Sequence, residues 1–178
     1  DEEKTNDITS LDIFLSYSWN NDSIADRLEE LFSLENIMLI RDKKEIKYKQ
    51  SIKEFMRKVR KSDFCLMIIS DDYLKSTNCM YEVLEFIKDE NFKERILPLI
   101  HKDCGIFRID CRVKYTQYWE NEYKKINDLL SNVENLNQVE IIDECKRIEN
   151  IKRNVGEFLN IISDMNCISF NDSISIAD

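Results

Sequence analysis

The stretch Phe64-Cys65-Leu66-Met67-Ile68-Ile69, followed shortly by Ser76-Thr77-Asn78-Cys79-Met80-Tyr81-Glu82, decides the fold. An unbroken apolar run without alternation describes a strand buried on both faces. Met80, Val83, Leu84 and Ile87 then recur at helical spacing. A buried strand therefore leaves the core, turns, and starts a helix that carries one carboxylate, Glu82, near its beginning. Glu82 is the leading candidate for chemistry.

Working outward, three more runs share this character: Asp12-Ile13-Phe14-Leu15-Ser16, Ile37-Met38-Leu39-Ile40 and Ile96-Leu97-Pro98-Leu99-Ile100. Amphipathic helical patterns separate them. Ile24, Leu28, Leu31 and Phe32 mark one, and Ile52, Phe55, Met56 and Val59 another. Strands joined by helical crossovers are parallel, so an α/β domain is expected. Pro98 lacks a donor and places the fourth strand toward one side of the sheet. Ile106 to Tyr115 is expected to add a short fifth strand, with helices following at Tyr118 to Leu130 and Val139 to Ser163. Residues 1–9 read as a polar extension, 10–165 as the domain, and 166–178 as a tail or linker to a missing domain. The chain begins with Asp rather than Met, which fits a piece of a longer protein.

Open parallel sheets bind ligands beyond the carboxyl ends of their strands. Those ends are Ser16-Tyr17-Ser18, Arg41-Asp42, Ser70-Asp71 and His101-Lys102, a polar rim over which Glu82 leans.

Composition excludes several function classes. A net charge of −9 over 178 residues disfavours nucleic acid as a partner. Arg57-Lys58 and Arg60-Lys61 cluster, and a solvated helix end accounts for them. No apolar run approaches the roughly 20 residues of a membrane span. The 6 cysteines include no CxxC pair and there is 1 His, so neither a disulfide framework nor a metal site is expected. A reduced, cytoplasmic protein fits best. With 2 glycines the chain has no GxGxxG or Walker loop.

These residues resemble a known family. Asp12 to Ser18 is similar to the first box of Toll/interleukin-1 receptor (TIR) domains, and Arg41-Asp42 to the entry of their BB loop. Ser70, Tyr73-Leu74 and Ser76 through Cys79 to Glu82 resemble the segment bearing the glutamate of enzymatic TIR domains. Ile96 to Ile100 is similar to their fourth strand, and Tyr118-Trp119-Glu120 to a motif frequent in bacterial members. The resemblance spans about residues 10 to 165. It implies the TIR fold: a flavodoxin-like, three-layer α/β domain with a central, mostly parallel five-stranded sheet. Two positions depart from the family pattern. No glycine occurs from Lys43 to Gln50, and Asn78 stands where many relatives have Trp.

The resemblance further implies an NAD+ glycohydrolase, or ADP-ribosyl cyclase, that breaks the nicotinamide–ribose bond. NAD+ would be substrate, with no cofactor and no metal. The leaving nicotinamide is cationic in NAD+ and departs neutral, so no general acid is needed. Positive charge develops on the ribose, and one carboxylate, Glu82, would stabilise it and hold the hydroxyls. Tyr17, Ser18 and Trp19 would form a pocket wall, or pack and cap their loop. Arg41 and Asp42 would hold polar parts of the dinucleotide, or pair with each other. Ser70 and Cys79 would border the pocket, and Trp119 would approach it or lie in the core. His101 reads as structural.

Relatives of this kind serve bacterial antiphage immunity, activated by self-association under a sensor domain or partner protein. The product, ADP-ribose or a cyclised form, stays open. The alternative is a non-catalytic TIR scaffold that recruits partners, which the glycine-free BB loop favours and Glu82 disfavours. A phospho-receiver would need an aspartate ending the third strand, where Ser70 stands.

Overall fold

The computed structural model describes residues 11–41, 61–131, 139–165 and 167–170. Along these the chain forms β1 (Asp12–Ser16), a 3-10 turn (Trp19–Asn21), α1 (Asp22–Leu34), β2 (Met38–Arg41) and β3 (Phe64–Ile69). Two helices follow in close succession, α2 (Asp71–Lys75) and α3 (Thr77–Phe86), then the short α4 (Phe92–Arg95) leads into β4 (Ile96–His101). The long helices α5 (Ile109–Ser131) and α6 (Val139–Asp164) precede β5 (Ile168–Phe170). The helical pattern at Ile52 to Val59 and the extension at 1–9 lie outside the described residues.

The five strands form one sheet in the order β2-β1-β3-β4-β5, and every neighbouring pair is parallel. Alternate side chains of the apolar runs go to opposite faces, which is why the runs are continuous. Ile13, Leu15, Leu66 and Ile68 pack with Ile24, Ala25 and Leu28 of α1. Phe14, Cys65, Met67 and Ile69 face the other way, toward Tyr73, Met80, Leu84, Trp119, Ile151 and Phe158 of the remaining helices. Each large apolar side chain removed from water in this way contributes roughly 1.5–3 kcal/mol.

Two expectations about the edge of the sheet need correction. Ile106 to Tyr115 is not a strand: Ile106 is buried in a turn, and α5 begins at Ile109. The β-branched residues that suggested a strand, The fifth strand comes instead from Ile168–Phe170, within the stretch read as tail, and pairs with Leu99, Ile100 and His101. Three residues between polar neighbours carry no strand signal of their own. Pro98 fits this arrangement, because β5 begins opposite Leu99 and leaves β4 paired only with β3 at Pro98.

β1 lies between β2 and β3, so the chain leaves it in one direction and returns on the other side. Open sheets of this topology hold their crevice at such a reversal, beyond the carboxyl ends of the strands.

Candidate active site

At that reversal lies a cleft of about 260 Å3. One wall is the end of β1 and the turn after it, from Phe14 to Asn20. The other is the start of α3, with Ser76, Asn78, Cys79 and Glu82. Typical small-molecule pockets measure roughly 300–1,000 Å3, so this one suits part of a dinucleotide rather than the whole.

Local chemistry sets both walls. Ser70 ends β3 in extended geometry, and its Oγ accepts the N–H of Tyr73 at 3.1 Å, capping α2. Its hydroxyl also donates to Oδ1 of buried Asn21 at 2.7 Å, fastening the turn after β1 to the end of β3. Ser76 caps α3 in the same way, accepting from the N–H of Cys79 at 3.3 Å. That cap defines where α3 starts, and hence the direction in which Glu82 projects into the cleft. Ser16 and the Tyr73 hydroxyl share a buried hydrogen bond of 2.9 Å beneath the floor.

Of the residues expected at a site, Tyr17, Ser18, Trp19, Cys79 and Glu82 are brought together as cleft lining. Trp19 is 60% exposed at the mouth. Tyr17 donates its hydroxyl to Asp22 at 2.8 Å, and burial with this acceptor pushes the phenol well above its ordinary range. Cys79 borders the cleft as a neutral thiol. Burial pushes it up to about 12, and the nearby Glu82 charge adds to the rise. Such a thiol is a poor nucleophile at neutral pH.

The structure does not bring Arg41, Ser70 or Trp119 to the cleft. Arg41 pairs with Asp26 and with Glu29 at 3.1 Å, and its guanidinium stands 6.0 Å from the Tyr17 ring, so it backs the wall from behind. Ser70 is fully buried and committed to Asn21 and the α2 cap. Trp119 is buried in the core, donating its indole N–H to the Leu74 carbonyl at 2.9 Å. Together with Tyr115, whose hydroxyl reaches Asp71 at 2.8 Å, it holds α2 from below. Asp42 lies outside the described residues, as does the loop from Lys43 to Gln50. His101 pairs with Asp103 at 2.8 Å and packs edge-on against Phe170, away from the cleft.

Sequence reading passed over Asn20 and Asn21. Nothing in an isolated Asn-Asn pair separates a lining residue from a buried bracket. Among the described residues, no three His, Cys, Asp or Glu side chains are grouped as metal ligands. All six cysteines are free.

The sequence profile described as "TIR domain" matches residues 13–130. The chain belongs to the TIR domain family. This TIR domain shares its fold with the TIR domains of the activated Roq1 resistosome directly recognizing the pathogen effector XopQ. The TM-score is 0.53 at 16% identity, covering 90% of this chain and 87% of that one. No curated protein matches the chain significantly. No helix among the described residues is long and apolar enough to cross a membrane.

Proposed function

We propose that this TIR domain cleaves NAD+ at the nicotinamide–ribose bond, with Glu82 as the catalytic residue. The observation that carries the reading is the position of Glu82: a carboxylate on the wall of a crevice at the sheet's topological reversal, opposite the aromatic Trp19. Nicotinamide needs no protonation to leave. A carboxylate beside the anomeric carbon stabilises the positive charge that forms there and hydrogen-bonds the ribose hydroxyls. Trp19 offers a face for the nicotinamide ring. The cleft takes the nicotinamide riboside half, which agrees with its volume.

NAD+ is the substrate in this reading, without a cofactor, and the product is ADP-ribose or a cyclised isomer. The biological setting we infer is an effector of bacterial antiphage immunity, acting in the cytoplasm. Its six free cysteines are compatible with a reducing compartment. Self-association under a sensor domain or partner protein would switch it on. The TIR domains whose fold it shares were seen in an activated resistosome, which supports assembly as the trigger.

The test is nicotinamide release from NAD+ by the purified domain at high concentration, beside Glu82→Ala. Losing one charge-stabilising group of this kind costs about 10²–10³ in kcat, so release should vanish in the variant. Equal release from both proteins would acquit Glu82. No release from either, even with assembly forced by fusion to an oligomer, would leave a TIR scaffold that recruits partners without chemistry.

A further inference from the structure

The polar side chains around the cleft divide into two groups. Ser16 is bonded to Tyr73, Tyr17 to Asp22, and Ser76 caps α3. Their hydrogen-bonding capacity serves the fold. The side chains of Ser18, Asn20 and Asn78 make no hydrogen bond among the described residues, although all three line the cleft.

Asn78 differs from the other two in its tie to Glu82. Both sit on α3 four residues apart, so their side chains share one face with Cβ atoms about 5–6 Å apart. A ribose held by Glu82 therefore has a fixed neighbour one helical turn toward the mouth. That neighbour is a primary amide, with N–H donors and a carbonyl acceptor side by side. Its best match is another primary amide, since two such groups exchange a donor and an acceptor in a paired bond.

We propose that Asn78 reads the carboxamide of the departing nicotinamide and is the specificity-determining residue of the cleft. This rests on the NAD-cleavage reading and adds the selectivity of the site. An acetyl group in the same place keeps the carbonyl but has no N–H to offer. A carboxylate also has no donor and adds negative charge close to Glu82. The expected order of preference is carboxamide, then acetyl, then carboxylate. Asn20 stands on the opposite wall in the turn after β1, where no shared helix sets its distance from Glu82.

The experiment compares kcat/KM for NAD+, 3-acetylpyridine adenine dinucleotide and nicotinic acid adenine dinucleotide. The proteins are the assembled wild-type domain, Asn78→Ala, Asn78→Asp and Asn20→Ala. Asn78→Ala should lower kcat/KM for NAD+ about tenfold and leave the acetylpyridine analogue within about threefold, because loss of one paired contact is felt only by the ligand that makes it. Asn78→Asp should worsen the nicotinic acid dinucleotide further, and Asn20→Ala should leave the preference ratios unchanged. A ratio unmoved by Asn78→Ala, or moved by Asn20→Ala instead, overturns the assignment while cleavage of NAD+ stands. No base released from any dinucleotide by the wild-type assembly overturns cleavage itself, and this inference with it.

Discussion

The Cys79 thiol of α3 meets the backbone carbonyl of Tyr17 at 3.7 Å, so the two walls of the cleft touch at its base. The contact is weak, but it brings together the loop after β1 and the helix that carries Glu82. Both walls are otherwise anchored separately, the first through Asn21 and Ser70 and the second through the Ser76 cap. Cleft geometry thus depends on small polar side chains more than on charge pairs.

Cys79→Ala should retain nicotinamide release to within a few-fold, because the thiol is neutral and borders the site without attacking. Iodoacetamide should label Cys79 far more slowly than an exposed thiol at neutral pH. Loss of activity on the scale of Glu82→Ala would give Cys79 a direct chemical role.

Trp119→Phe removes the indole donor and leaves the Leu74 carbonyl buried without it. The expected cost is about 1–3 kcal/mol of stability, read from the urea midpoint. KM for NAD+ should stay within about twofold, since Trp119 lies in the core. A raised KM with unchanged stability would put Trp119 against the ligand.

Ser70→Ala deletes an N-cap and leaves Oδ1 of Asn21 without its donor. Together these should lower stability by about 1–3 kcal/mol. The loop after β1 loses its bracket, so amide exchange should speed up from Tyr17 to Asn21 before it does so in α6. Uniform acceleration across the domain would mean that Ser70 serves global stability alone.

Alkaline pH should weaken the fold in a defined window. Burial pushes the Cys65 and Cys79 thiols up to about 12 and Cys104 to about 11, against 9.0 when solvated. Between these values the unfolded chain has lost protons that the folded chain keeps. Stability is therefore full below about pH 9 and falls as pH rises toward 12. Buried Tyr73 and Tyr115, also raised, act in the same sense. Urea unfolding across this range should show a shallower decline in a Cys79→Ala, Cys104→Ala double variant. An equally steep decline would assign the effect to the tyrosines.

The apolar runs were legible because burial on both faces leaves a strand no room for polar residues. Four of the five strands and the parallel sheet could be read from that alone, and so could the rim where Ser16 and Glu82 meet. Residues 106–115 misled because β-branched Ile109 and Val113 favour strands locally, yet here they are the exposed face of α5. Ile168–Phe170 gave no warning, since a short edge strand is defined by the neighbour it pairs with.

The site shows the same division. By itself the sequence determined which residue types stand at the strand ends and that Glu82 follows a buried strand, because hydrophobic periodicity is written locally. Only the tertiary structure decided that Arg41, Ser70 and Trp119 turn away from the cleft while Asn20 and Asn78 turn toward it. Each polar side chain goes where its hydrogen bonds are best satisfied, and for Arg41, Ser70 and Trp119 the decisive partners are Asp26 and Glu29, Asn21, and Leu74. Those partners lie far away in sequence and come within reach only when the sheet has closed.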